Sequence, residues 1–169
     1  TGRKRGQIRL KRLPAYIARP NCQIGHPTLS YPDFIQALGV TFIEVSKTRV
    51  LAEMDARLEH TNGANAVHGG IYMAFADTLG ARGAIMNLPD GCVTSTLESK
   101  TNFLRGAAPG KLIGEATPVH VGRTTQVWQT VVTDAEGKKL AVITQTQIVM
   151  PGKGPQLERQ QATRDGKVS

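Results

Sequence analysis

The chain has 169 residues, enough for one domain with a sizeable core, and its hydrophobic content of 40% is ordinary for a globular protein. No apolar run approaches the roughly 20 residues that span a bilayer as a helix. The net charge of +8 is uneven: residues 1–20 hold seven basic residues and no acid, against 14 basic and 13 acidic residues in the rest. The body is thus nearly neutral, and the fold itself makes no case for binding nucleic acid.

Residues 1–30 read as a basic, irregular N-terminal arm, broken by Pro14, Pro20 and Pro27. The arm is Arg-rich and acid-poor, as a targeting leader would be, but lacks the Ser enrichment of a transit peptide and the apolar centre of a secretory signal. The plain reading is a solvated extension; contact with nucleic acid or an anionic surface is the alternative. The start at Thr1 rather than Met reads as a trimmed end. Cys22 and Cys92 are too widely spaced for a disulfide framework or a zinc site, so reduced thiols and a cytoplasmic location are expected.

A domain is expected over residues 31–150. Pro32 to Leu38 predicts a short helix closed by Gly39. Val40–Ser46 and Thr48–Leu58 alternate and are β-branched, as two strands around a turn near Lys47 would be. His60 to Val67 reads as loop, with His60 a surface or loop residue. Gly70 to about Met86 is the one long helix candidate, with Ile71, Ala74, Phe75, Thr78, Leu79, Arg82 and Ile85 at helical spacing and many small residues between them. After a Pro89-Asp90-Gly91 turn come four β-like stretches, Val93–Leu104, Lys111–Val121, Thr124–Thr133 and Lys139–Met150. Residues 151–169 read as a polar C-terminal tail without regular structure. The expected class is α+β: one long central helix wrapped by a largely antiparallel six-stranded sheet, the outline of the hotdog fold.

The segment from His60 to Asp77, HTNGANAVHGGIYMAFAD, concentrates the chemistry. Paired glycines at a helix start let a ligand approach backbone N–H groups that have no partner inside the helix. The helix dipole adds partial positive charge there, which suits a carbonyl oxygen gaining negative charge. Asp77 sits two turns further on, between Phe75, Ala76, Thr78 and Leu79, where an acid is costly to bury without a function. An exposed acid or a structural hydrogen bond is the competing reading.

Asn62 through Gly70 followed by Ala76-Asp77 resembles the signature of PaaI-type hotdog acyl-CoA thioesterases, within the 4-hydroxybenzoyl-CoA thioesterase superfamily. The resemblance runs from about Pro32 to Met150 and includes ESKTNFLRGAAPGKL and VHVGRTTQVW. It implies that Asp77 is the catalytic carboxylate, acting as nucleophile or as general base on water. It implies that the Gly69 N–H is the oxyanion donor and that Gly70 lets the helix begin in tight quarters. Asn62 matches an amide near the substrate carbonyl or attacking water, against the reading of a turn residue in Asn-Gly. His68 would orient the loop and border the thioester, against the reading of a satisfied half-buried histidine. Thr96 matches a Ser or Thr that holds the catalytic acid or water, although Thr94, Ser95 and Thr101 fit a strand equally well. Arg123 and Thr124 lie in a corner resembling a coenzyme A-contacting turn; for Arg105 a solvated charge is the better reading.

Gly69 and Asp77 are eight residues apart, and a rise of about 1.5 Å per residue separates them by roughly 12 Å. A thioester carbonyl must sit about 3 Å from donor and nucleophile alike. Two antiparallel helices across a dyad would bring Asp77 of one copy to Gly69 of the other. The expected function is therefore acyl-CoA thioester hydrolysis to a free acid and coenzyme A. It uses no metal and no cofactor, coenzyme A being part of the substrate. The expected assembly is a homodimer at minimum, extending to a homotetramer as a dimer of dimers, with no membrane or nucleic-acid partner. A hotdog acyl-thioester dehydratase or hydratase using His68 and Asp77 is one alternative. A non-catalytic acyl-CoA-binding module is the other.

Overall fold

The computed structural model describes residues 34–153 and 155–166. The expectations for residues 1–30, Cys22 among them, lie outside the described residues.

Helix α1 (Phe34–Leu38) ends where Gly39 takes a φ of +73°, a left-handed value that glycine adopts without a Cβ penalty. Strands β1 (Thr41–Val45) and β2 (Val50–Ala56) follow, joined by a turn in which the Ser46 hydroxyl meets both Arg49 N and Arg49 O at 3.0 Å. After a 3-10 turn at Leu58–His60 and an irregular loop comes the long helix α2 (Gly69–Met86). Strands β3 (Cys92–Phe103), β4 (Gly110–Val121), β5 (Thr125–Asp134) and β6 (Lys139–Pro151) complete one six-stranded sheet. All its pairings are antiparallel, in the order β1-β2-β4-β5-β6-β3. Six strands around one central helix match the expected α+β hotdog class.

This order puts β3 at a sheet edge. Helix α2 carries the chain from β2, near one edge, across the concave face to β3 at the other. The short connections β4–β5 and β5–β6 are hairpins, as the Gly122-Arg123 and Asp134-to-Gly137 signals imply.

The core lies between α2 and the sheet, where Phe75, Leu79, Met54, Leu112, Trp128, Leu140 and Ile143 are buried. The small residues of α2 let it press close: a Cβ on Gly83 would stand 2.5 Å from the Trp128 ring. Trp128 Nε1 donates to Gln126 Oε1 at 3.1 Å, and Gln126 Nε2 donates to Ala84 O at 3.3 Å, so the indole is also tied back to the helix. On the β1 side, the Arg82 guanidinium lies 5.1 Å from the centre of the Phe42 ring, and burial pulls its pKa below the ordinary value.

The segment after Pro151 differs from the expectation of an irregular tail. It contains helix α3 (Pro155–Arg164), and Gly166 just beyond it takes a φ of +71°. Proline at the start and glycine past the end bracket a run of good helix formers. Arg164 reaches Leu88 O at 3.3 Å and Asp90 Oδ1 at 3.2 Å, and Gln160 binds β3. Among the described residues no helix is long and apolar enough to cross a membrane.

Gly83→Ala tests the close approach of α2. Helix propensity alone favours alanine by about 1 kcal/mol. The clash with Trp128 costs about 1–3 kcal/mol. A net loss of stability in urea unfolding is expected; unchanged or raised stability would contradict the packing described.

Candidate active site

The loop before α2 is built by its own polar groups. Asn62 Oδ1 accepts from Ala64 N at 2.9 Å and Ala66 N at 3.3 Å, and Asn62 N donates to Ala66 O at 2.8 Å. Asn65 adopts a positive φ of 57°, which asparagine tolerates better than most residues. The Asn62 side-chain carbonyl is therefore committed to the turn. The reading of His60 as a surface or loop residue is corrected: the side chain is buried, and its Nδ1 accepts from Arg57 N at 3.1 Å. His60 O in turn accepts from His68 N at 2.8 Å, so this histidine anchors the loop.

His68 is the N-cap of α2, and its Nδ1 accepts from Gly70 N at 3.0 Å. The residue is exposed rather than half-buried. Its carbonyl takes Ile71 N at 2.9 Å. Of the first three helical N–H groups, those of Gly70 and Ile71 thus have acceptors, and that of Gly69 has none among the described residues. An unpaired N–H at a positive helix end is the donor that an oxyanion needs. The Phe103 ring at the end of β3 lies so close to Gly69 that a Cβ there would stand 2.9 Å from it. Phe103 also meets Tyr72 with ring centroids 6.5 Å apart. Burial pushes the Tyr72 phenol above its ordinary pKa; its oxygen faces the Ala107 backbone without a well-formed hydrogen bond.

Asp77 is half-buried, two turns along the same helix. Its Oδ1 accepts from Thr96 Oγ1 at 2.8 Å. Gln145 Nε2 lies 3.3 Å from Asp77 O and 3.5 Å from Oδ1. Thr96 stands directly opposite Gln147 across the β3–β6 ladder, and Gln147 Nε2 donates to Thr96 Oγ1 at 2.7 Å. The structure thus selects Thr96 from the several hydroxyls of this strand. Thr94 serves elsewhere, its Oγ1 lying 3.0 Å from Gln147 Oε1 and 2.9 Å from Ile148 O.

Strand β3 therefore runs beside α2 in the opposite sense, with Thr96 at Asp77 and Phe103 at Gly69. Gly69 and Asp77 thus lie along one helix beside the same edge strand. Arg123 and Thr124 are exposed in the β4–β5 turn. The register aligns Gln126, Gln147 and Thr96 in one row across β5, β6 and β3, so that turn lies toward the Thr96 end of the sheet. Arg105 is exposed beyond β3. Gln145 and Gln147 escaped sequence reasoning; their only signal is the polar run Thr144-Gln145-Thr146-Gln147 inside an otherwise apolar strand. Among the described residues no group of three metal-ligating side chains occurs.

Comparisons with known proteins agree with this architecture. A family model described as "Thioesterase superfamily" matches residues 64–141. The proofreading thioesterase EntH of Klebsiella pneumoniae is 35% identical over 105 residues, which cover 60% of this chain and 74% of that protein. A thioesterase structure from Haemophilus influenzae superposes with a TM-score of 0.66 at 28% identity, covering 69% of this chain and 82% of that one. The PaaI protein of Escherichia coli shares the fold at a TM-score of 0.65 and 23% identity, over 70% of this chain and 85% of that one. The chain belongs to the thioesterase superfamily. It has the hotdog fold and is a thioester hydrolase.

The cap on α2 is open to test. His68→Ala is expected to lower stability by about 1 kcal/mol through loss of the acceptor for Gly70 N, while His68→Asn restores most of it. Thermal unfolding checks this; equal stability of the alanine and asparagine variants would contradict the cap.

Proposed function

We propose that this protein hydrolyses acyl-CoA thioesters, and that each active site is shared between two copies of the chain. The observation that carries the reading is an unpartnered helix-end N–H and a hydrogen-bonded carboxylate on one helix, both beside the edge strand β3. The roughly 12 Å of helix between them is too long for one carbonyl to bridge within one chain. A second copy, with its helix antiparallel to the first, shortens that separation.

Several features support such pairing. Strand β3 is 12 residues long and lies at the sheet edge, with Leu97, Phe103 and the following Leu104 exposed by 55–58%. A long edge of this kind is a template for another strand. The opposite edge, β1, has only five residues and is interrupted between Phe42 and Glu44. We propose a homodimer at minimum, with a dimer of dimers as the larger assembly.

In this reading the Gly69 N–H and the α2 dipole polarise the thioester carbonyl. Asp77 of the facing copy either attacks the carbonyl carbon or removes a proton from water that does so. Collapse of the tetrahedral intermediate breaks the carbon–sulfur bond and releases coenzyme A as the thiol. If Asp77 attacked directly, water then cleaves the anhydride to free acid and carboxylate. Gly70 gives the thioester close access to the helix end, and Asn62 offers its amide N–H groups at the mouth of the site. His68 and Thr96 hold the loop and the carboxylate, while Arg123 and Thr124 meet the nucleotide end, where arginine suits phosphate. The free Cys92 and a coenzyme A substrate fit a cytoplasmic setting.

The dehydratase alternative asks for His68 as a base, but its Nδ1 is occupied by Gly70 N. Thiol release from saturated acyl-CoAs is the deciding assay. Wild-type protein is expected to release thiol from at least one aryl-, short- or long-chain acyl-CoA. Asp77→Asn is expected to lose at least about a hundred-fold in kcat while remaining folded. A variant with wild-type turnover would remove Asp77 from the chemistry. Hydration of enoyl-CoA without thiol release would favour the alternative.

A further inference from the structure

Behind Asp77 lies a chain of side chains that runs into the sheet and has a direction. Thr96 Oγ1 stands 2.8 Å from Asp77 Oδ1 and 2.7 Å from Gln147 Nε2. A threonine hydroxyl has one proton, and an amide nitrogen only donates. Gln147 therefore fills a lone pair of Thr96 and leaves its proton for Asp77. Turning the Gln147 amide over would set its oxygen against Thr96, and one proton cannot serve that oxygen and a carboxylate together. On the far side Thr94 Oγ1 stands 3.0 Å from Gln147 Oε1 and 2.9 Å from Ile148 O, so it accommodates this orientation without fixing it. Gln147 is wholly buried, so a lost partner could not be replaced cheaply by bulk water.

We propose that Gln147 is a positioning residue for the hydrolysis. It acts through Thr96, aiming that hydroxyl at Asp77 Oδ1 and so fixing the orientation of the carboxylate. Gln145 supports the same placement through the Asp77 backbone carbonyl. Gly80 makes room for it, since a Cβ there would stand 2.4 Å from the Gln145 amide carbon. The inference rests on Asp77 being the reactive carboxylate, and holds whether it attacks the carbonyl or activates water.

The surroundings of Asp77 make the effect readable. Its recorded partners, Thr96 of β3 and Gln145 of β6, carry no charge. Glu98 and Lys100 of β3 alternate with Ser99 onto the other face of the sheet, where Glu98 accepts from Thr146 at 2.8 Å. Arg82 of α2 is turned to Phe42 of β1. Loss of a donor at Thr96 therefore acts on the carboxylate without a competing ion pair among the described residues.

The test is the pH dependence of kcat/KM for thiol release from benzoyl-CoA or hexanoyl-CoA, whichever is turned over faster. Gln147→Met, Thr96→Val, Thr96→Ser, the Gln147→Met/Thr96→Val double variant and Asp77→Asn are compared with wild type. Gln147→Met and Thr96→Val are each expected to lose about ten-fold, the equivalent of one charge-assisted hydrogen bond. Each should also move the acid limb of the profile up by about one pH unit. The double variant should be no worse than Thr96→Val alone, because Gln147 works through that hydroxyl. Thr96→Ser should keep the wild-type limb. If Gln147→Met does not fold, Gln147→Glu reads the same point: it keeps the shape, offers only acceptors to Thr96, and should move the limb at least as far. An unmoved limb, or losses that add in the double variant, overturns the inference. If that happens while Asp77→Asn is inactive, the hydrolase reading survives and only Gln147 loses its role. If Asp77→Asn turns over normally, both fall.

Discussion

A carboxylate on an apolar helix needs a donor, and Asp77 draws its donor from Thr96 on the last strand of the sheet. This bond at 2.8 Å links α2 to the edge of the sheet. It places the acid over β3 rather than over the apolar centre, where Phe75 and Leu79 are buried. Because α2 and β3 run in opposite senses, the same alignment sets the helix start beside Phe103. The placement of Asp77 beside Thr96 and of Gly69 beside Phe103 follows from this one registration of helix against strand.

The part of the sheet beneath Asp77 is unusually polar for a protein interior. Gln126, Gln145 and Gln147 are all wholly buried on the concave side of the sheet. Buried amides weaken a core unless each polar atom is paired. Gln126 and Gln147 are paired, the first to Trp128 and Ala84 O and the second to Thr96 and Thr94. Gln145 Oε1, Ser99 Oγ and Thr101 Oγ1 have no partner, and all three belong to β6 or β3. Toward β2 and β4 the interior is filled by Met54, Val50, Leu112 and Ala116 instead. The molecule thus gives up apolar packing along the strands nearest Asp77, as the proposed catalytic role of that residue would require. Helix α3 treats β3 differently: the Gln160 amide meets Thr94 N at 2.9 Å and Thr94 O at 3.0 Å, standing in for a neighbouring strand at one end of that edge.

Much of this was legible in the residues. Glycine and proline mark nearly every boundary, from Gly39 to Pro89-Asp90-Gly91 and the Asp134–Gly137 turn, and alternation identifies the strands between them. The small residues of α2 announced a helix lying close to a sheet, and Gly83 against Trp128 shows why. Helix α3 was hidden because a polar composition was weighed above its bracketing Pro155 and Gly166. His60 was misjudged because burial of one histidine in a polar loop depends on contacts with Arg57 that no local pattern encodes. Thr96 was distinguishable from Thr94 and Thr101 only by family resemblance. The structure separates them through the bond from Thr96 Oγ1 to Asp77 Oδ1. Gln145 and Gln147 were illegible as site residues, since their partners lie 68 and 51 positions away in sequence.

The sharing of one site between two chains is tested most directly by mixing subunits. Gly69→Pro removes the donor N–H and suits the first helical position. His68 before it already has the extended ψ of 136° that a following proline requires, although the exposed Phe103 ring must swing away from the new Cβ. Asp77→Asn and Gly69→Pro subunits, each impaired alone, are unfolded together, refolded and assayed for thiol release. If Gly69 of one copy works with Asp77 of the other, every mixed dimer regains one intact site, and about a quarter of wild-type activity returns. If the mixture is no more active than its two parents, each chain holds its whole site and the shared site is wrong.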